Sequence, residues 1–408
     1  MATAPRVLIV DQGVSFGGSA LVGSATVSCM PPTRYDVHLA TALDPATLRA
    51  TPLTTRRIHH ASKAYSYVDQ MQRRSRSRTS GLPALLRRPA GWLDFGVRLV
   101  RNTGYTKLLS RWIRRDGIAL VHLNNGFENL EAHLAAWFTG RPIVVHAHGP
   151  CGSARLTRRL AARGPVCIAI SDVVGRSLIE AGVPRDRVHV LPNPLTLDPL
   201  PLDATLRHSA RRELGIPERF RLMGIVGRIV EWKGQREFLN AAAVAMKSDP
   251  HLGAVIIGDV TDAMDEYGNQ VRQQATDLGI ADRVWFSGFM PDPRRLYALA
   301  DVVVHSSILP EPFGLVITEA MALGIPVVAA NAGGPVEIIT DGVDGFLVDP
   351  CDAAAVAGRV AALFADPALY QRIGAAGRQT ALERFSPEAY VERVARVYDA
   401  ALAGPGGR

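Results

Sequence analysis

Short apolar runs bounded by turn residues alternate along this chain with longer stretches whose apolar positions recur every three or four residues. The first pattern suits strands buried on both faces of a parallel sheet, and the second suits the helices that cover those faces. In the first half the predicted strands are 6–10, 35–41, 120–125, 142–148, 166–171 and 188–193. Amphipathic stretches at 129–139, 155–163 and 173–181 fall between them. A Pro-rich segment without periodicity, PNPLTLDPLPLDATLR at 192–207, reads as a linker. A second series follows, with strands at 221–227, 253–259, 283–289, 301–307, 326–331 and 345–350 and helical patterns such as 234–246 and 314–323. The stretch 56–115 is the least regular part of the chain.

Two such series predict an α/β protein of two doubly wound, Rossmann-like parallel-sheet domains facing across a cleft. The expected boundaries are 1–195 for the first domain and 196–384 for the second. The tail, 385–408, contains an amphipathic helix expected to cross back onto the first domain. A chain of 408 residues is long enough for two cores of this kind. No apolar window is long enough to span a bilayer, and the run near the N-terminus lacks a basic start and a small-residue cleavage site. The four cysteines show no C-x-x-C spacing. A cytoplasmic protein is therefore expected.

Charge changes that picture. Residues 1–194 carry 26 Lys+Arg against 11 Asp+Glu, a net of +15, and the remainder nets −7, which together give the chain's +8. Much of the excess lies in 73–115, which includes RRSRSR and KLLSRWIRR; the latter can form a basic amphipathic helix. Nucleic acid is not an expected partner, because no aromatic-interleaved basic motif accompanies these arginines.

The densest chemical signal lies in the second half. After the strand at 221–227 the chain reads GRIVEWKG, which places Arg228 and Lys233 at a helix start, a site suited to a diphosphate. Further on, Glu311 precedes a turn formed by Pro312, Phe313 and Gly314, and Glu319 lies in the helix opened by that turn. Such a turn can offer the backbone N–H groups of Phe313, Gly314 and Leu315 to an anion. The carboxylates of Glu311 and Glu319 can accept hydrogen bonds from sugar hydroxyls.

The ordered set GR-x4-KG, EPFGL-x3-EAMALG-x-PVVA, a GG-P-E turn and DG-x2-GFLV resembles the retaining glycosyltransferases of family 4, which have the GT-B fold. The resemblance covers nearly all of 200–408. In the first half it rests on the FGG turn at 16–18, His148-Gly149, Ser171-Asp172 and the PNP at 192–194. It implies transfer of a hexosyl or N-acetylhexosaminyl group from a nucleotide-diphosphate sugar, a UDP- or GDP-sugar, to an acceptor hydroxyl with retention of configuration. Arg228 and Lys233 would neutralise the donor diphosphate, and Glu319 would hold the ribose. Glu311 would bind a sugar hydroxyl, and Gly17 and Gly18 would let the chain approach the diphosphate. His148 would sit near the reacting sugar, with His146 a packed strand residue.

No cofactor is required in this picture. No two aspartates are two residues apart, so no D-x-D metal clamp exists and a metal-independent reaction is expected. The implied acceptor is a carbohydrate or a lipid-linked saccharide or glycolipid, with 73–115 resting on an anionic inner membrane face. Alternatives are a glycosyltransferase of small molecules or natural products, a nucleotide-sugar epimerase, or a catalytically silent partner subunit of the same fold.

Overall fold

The computed structural model describes residues 4–11, 17–43, 58–60, 102–152, 155–260 and 265–404. They form two compact units, one of residues 1–192 with 387–408 and one of residues 193–386.

The first unit is built on a seven-stranded sheet of β1 (Arg6–Asp11), β2 (Asp36–Thr41), β3 (Ile58–His60), β4 (Ile118–Leu123), β5 (Ile143–Ala147), β6 (Val166–Ala169) and β7 (Val188–Val190). Its order is β3-β2-β1-β4-β5-β6-β7, and every pairing is parallel. The second unit carries a six-stranded sheet of β8 (Arg221–Val226), β9 (Leu252–Ile257), β10 (Val284–Phe286), β11 (Val302–His305), β12 (Val327–Ala330) and β13 (Phe346–Val348). It runs β10-β9-β8-β11-β12-β13, again all parallel. Both sheets therefore reverse their winding beside the first strand, between β1 and β4 and between β8 and β11. In doubly wound sheets the crevice beyond the strand carboxyl ends at such a point is where ligands bind.

The apolar runs become strands because helices cover both faces. All six residues of β9 are buried, as are five of six in β1. Twelve of the thirteen strands lie at the positions that periodicity predicts. The exception is β3, a three-residue edge strand with sequence IHH, too short and too polar to register as an apolar run. The basic stretch 73–101 lies outside the described residues. Its continuation forms the helix Thr103–Arg115, which buries Tyr105, Leu109, Trp112 and Ile113 and exposes Lys107, Arg111 and Arg114.

The last helix, Pro387–Ala403, belongs to the first unit. Its apolar face (Tyr390, Val391, Val394, Val397, Tyr398) packs into the same core as β1 and β2. Polar contacts fix its register. Tyr398 Oη lies 2.6 Å from His122 Nδ1, Tyr35 Oη donates to Asp399 at 2.5 Å, and Arg34 pairs with the same carboxylate. Among the described residues no single helix is long and apolar enough to cross a membrane.

Candidate active site

In the second unit the residues beyond β8 and β11 converge. Lys233 ends a short 3-10 turn, Glu231–Lys233, that precedes the helix Gln235–Ser248. The intervening Gly234 has φ 73°, and a Cβ there would lie 1.8 Å from the Ser306 carbonyl oxygen. Only glycine permits both the left-handed backbone and that approach. Ser306 Oγ donates to the Gly234 carbonyl at 2.9 Å, so the end of β11 is pinned against the start of this helix.

That contact brings Lys233 to Glu311. Lys233 Nζ lies 2.7 and 2.6 Å from the two carboxylate oxygens, and Glu311 Oε2 also faces His305 Nε2 at 2.9 Å and accepts from Ser307 Oγ at 3.0 Å. Burial alone would raise the Glu311 carboxyl. The hydrogen bond from His305 and the charge of Lys233 outweigh that effect and bring it down to about 2. Glu311 is thus an anion with a dense set of donors. Arg228, by contrast, is exposed, and its carbonyl is held by Gln235 Nε2 at 2.9 Å.

The turn after Glu311 is fixed by backbone contact. The Gly334 N–H donates to the Glu311 carbonyl at 2.7 Å, and a Cβ on Gly334 would meet the Phe313 carbonyl oxygen at 2.3 Å. Phe313 is buried edge-on against Phe385, so its side chain belongs to the core and its backbone faces the turn. The helix Leu315–Ala322 then starts at Gly314 with no side chain capping it and no acidic residue in its first turn. Such an end leaves N–H groups and a partial positive charge available to an anion.

Glu319, in the second turn of that helix, is 9% exposed. Its carboxylate accepts from Thr196 Oγ1 at 2.5 Å and from Tyr297 Oη at 2.7 Å. Burial dominates and raises its carboxyl above the ordinary value despite these bonds. Thr196, Tyr297, His305 and Ser307 were not singled out by sequence reasoning. No motif marks them: Thr196, Tyr297 and the segment holding His305 and Ser307 come from separate parts of the chain.

In the first unit Gly17 stands just before the helix Gly18–Cys29, and a Cβ added to it would meet nothing within 4 Å. Asp11 ends β1, Asn124 follows β4 and His148 follows β5, so all three stand at the strand carboxyl ends beside the winding reversal. His148 Nε2 lies 3.1 Å from Asn124 Oδ1, and burial pulls its imidazole well below the ordinary value. His146, two residues earlier, is fully buried, with its ring 4.2 Å from that of His148.

One further cluster has metal-ligand residue types. His38, His59 and Asp116 are buried, with His38 Nδ1 3.3 Å from His59 Nε2 and the latter 3.4 Å from Asp116 Oδ2. The imidazole centroids are 5.6 Å apart with an interplanar angle of 21°, which sets the two nitrogens almost on one line between the rings. That is the geometry of an N–H···N hydrogen bond; ligands of one ion would converge at an angle. His38 Nε2 also lies 3.4 Å from Asp36. The cluster therefore reads as a His38–His59 hydrogen bond, with the Asp116 carboxylate beside it, that ties β3 to β2.

Comparison with known proteins places these residues in context. Residues 207–380 match the family model described as glycosyl transferases group 1, and residues 30–198 match the one described as glycosyltransferase family 4. A D-inositol 3-phosphate glycosyltransferase from Thermomonospora curvata is 36% identical over 307 residues, covering 71% of this chain and 68% of that protein. A lipopolysaccharide core biosynthesis glycosyltransferase from Rhizobium meliloti, LpsE, is 35% identical over 182 residues, or 45% of this chain and 51% of the relative. In structure the chain resembles Anabaena Alr3699/HepE, solved in complex with UDP and glucose. The TM-score is 0.78 over 97% of this chain and 100% of that one, at 23% identity. At that identity the likeness establishes the fold.

The Glu311 cluster has a measurable acid signature. Because its carboxyl is depressed in the fold, from 4.5 to about 2, the stability it contributes is present above 4.5 and is lost as pH falls toward 2. In urea titrations the stability gap between wild type and Glu311→Gln should be constant above pH 5 and narrow steadily below it. A gap that does not change across this range would show that Glu311 is not held as an anion.

Proposed function

The chain belongs to glycosyltransferase family 4, and from that premise we propose that it transfers a hexosyl or N-acetylhexosaminyl group from a nucleotide-diphosphate sugar to an acceptor hydroxyl. The observation that carries this reading is the meeting of Lys233 and Glu311 beside the uncapped start of the helix Leu315–Ala322. A cation and free N–H groups suit a diphosphate, and an adjacent ionised carboxylate suits a sugar hydroxyl. In this reading Lys233 and Arg228 neutralise the diphosphate, while Phe313, Gly314 and Leu315 supply backbone N–H groups. Glu311 accepts from a sugar hydroxyl, and Glu319 exchanges its internal donors for the ribose. Gly17 and Gly18 leave room for the diphosphate, and His148 contacts the sugar that is transferred.

Chemically, the arrangement asks little of the protein beyond positioning and charge. In the proposed retaining, front-face reaction the bond from the anomeric carbon to the diphosphate breaks as the acceptor oxygen adds on the same face. The departing diphosphate takes the acceptor proton. Lys233 and Arg228 stabilise the charge that develops on the leaving group, the kind of preorganised contribution that dominates many active sites. No protein nucleophile and no metal ion is required.

For the acceptor we favour a saccharide held at an anionic membrane surface. Lys107, Arg111 and Arg114 line one exposed face of the helix Thr103–Arg115. Arg114 Nη2 donates to the Phe138 carbonyl at 3.2 Å, which places these cations next to Trp137 and Phe138, exposed at 65% and 56%. Basic side chains near a bilayer contribute about 1 kcal/mol each, and Trp favours the interface.

Two experiments test the reading. Thermal unfolding against a panel of nucleoside diphosphates and their sugars should show stabilisation by one base class, lost in Arg228→Ala/Lys233→Ala. Turnover of the stabilising donor should give a product of unchanged anomeric configuration. Failure of every nucleotide to stabilise the wild type would remove the donor site, and a donor altered without any acceptor would point to an epimerase. Separately, the protein should sediment with anionic but not neutral vesicles at low salt, and Trp137→Ser/Phe138→Ser should weaken this several-fold. Equal recovery with both vesicle types would sink the membrane assignment.

A further inference from the structure

The donors around Glu311 are shared unevenly between its two oxygens. Oε2 meets three side chains: Lys233 Nζ at 2.6 Å, His305 Nε2 at 2.9 Å and Ser307 Oγ, which donates at 3.0 Å. Among the described residues Oε1 meets only Lys233 Nζ, at 2.7 Å. These donors also differ in how firmly they are held. His305 is the last residue of β11 and pairs with Ala329 of β12 within the sheet. Ser307 follows two residues on, and both side chains are buried. Ser306, between them, is tied to the Gly234 carbonyl. Lys233 instead reaches the carboxylate on a long unbranched stem, and of the three donors it is the cation that a diphosphate would draw away.

Ser307 Oγ also lies 3.1 Å from His305 Nε2, so serine, histidine and glutamate form one compact group. It is not a nucleophilic relay. Such a relay needs the serine on one imidazole nitrogen and the acid on the other, whereas here both face Nε2. His305 Nδ1 is buried without a hydrogen-bond partner among the described residues. What the group does offer is an N–H and an O–H, both directed at Glu311 Oε2. With Lys233 drawn away, Oε2 keeps these two donors and Oε1 keeps none. Burial raises the Glu311 carboxyl, and the hydrogen bond from His305 is the largest of the effects that lower it, ahead of the charge of Lys233. His305 therefore favours the anion even when Lys233 is engaged elsewhere, with one oxygen anchored and the other open.

We propose that His305 and Ser307 are positioning residues which hold Glu311 by Oε2, so that Oε1 is the oxygen that accepts from a hydroxyl of the transferred sugar once Lys233 engages the diphosphate. The inference rests on the proposed donor site, but its first element, the hold of His305 on Glu311, can be measured without any nucleotide.

The test compares the full-length wild type with His305→Ala, His305→Gln and Ser307→Ala. Calorimetry gives dissociation constants for UDP, UDP-glucose, UDP-N-acetylglucosamine, GDP and GDP-mannose. Binding of the bare diphosphate should stay near wild type in all three variants. The ratio of the nucleotide-sugar constant to the bare-diphosphate constant should rise about tenfold in His305→Ala, the size expected for losing a hydrogen bond to a charged group. In Ser307→Ala it should rise several-fold. His305→Gln, whose amide N–H can face the same oxygen, should restore most of the loss. The second readout is the acid dependence of stability in urea. A carboxyl depressed in the fold loses its contribution as pH falls, so in a His305→Ala background the gap opened by Glu311→Gln should depend less on pH. Ser307→Ala opens no ring-sized cavity and supplies both readouts if His305→Ala does not fold. A ratio unchanged in the variants, with the bare diphosphate still bound, would overturn the sugar-reading role of Oε1. An unchanged acid dependence would overturn the hold on Glu311. If the wild type binds none of the nucleotides, the donor site fails and the sugar-reading role with it, while the acid dependence still decides whether His305 holds Glu311.

Discussion

The ionised carboxylate of Glu311 is the interaction on which the second unit's functional surface depends. It joins the segment after β8, through Lys233, to the end of β11 and the residues just beyond it, through His305 and Ser307. Its own backbone carbonyl secures the Gly333–Gly334 turn. A largely buried charge is costly unless paired and hydrogen-bonded, and here four oxygen contacts from three side chains meet that requirement. Because Lys233 comes from one segment and His305 and Ser307 from another, the carboxylate sets the relative placement of the two. The start of the helix Leu315–Ala322 inherits its position from the same turn.

The two units solve the same structural problem with different chemistry. Each sheet reverses its winding beside its first strand, and each gathers polar residues at the strand ends there. In the second unit those residues are charged and paired, which suits a multiply charged phosphate group. In the first they are neutral or shielded: an asparagine, a histidine held without charge, and a single aspartate whose oxygens are occupied by amides. Such a surface suits hydroxyl groups better than a multiply charged phosphate. This contrast persists although residues 1–194 carry the chain's positive excess. The described part of that excess includes the exposed face of the helix Thr103–Arg115, apart from the strand ends.

Much of the architecture was legible because strands buried on both faces leave an unbroken apolar trace. Stretches such as GAVIIG and DVVVH are too short and too rich in β-branched residues to suit much else. IHH at β3 has no such trace, since its burial comes from the His38–His59 contact and from Trp112, which no local pattern reveals. The site was legible where chemistry follows a short motif, as with Lys233, Glu311 and the turn through Gly314. It was not legible where function depends on partners far apart in sequence. Thr196 reaches Glu319 across 123 residues, and Asn124 meets Asp11 across 113. Phe313 shows the opposite case. Its motif position was evident, yet the buried ring makes clear that the backbone alone is free to contact a ligand.

A crystal structure of the protein soaked with the stabilising nucleoside diphosphate tests the central claim most directly. The account predicts a diphosphate within hydrogen-bond distance of the backbone N–H groups at Gly314 and Leu315, with Lys233 turned from Glu311 toward the phosphate oxygens. A diphosphate bound elsewhere, with the Lys233–Glu311 pair intact and the helix start empty, would contradict it.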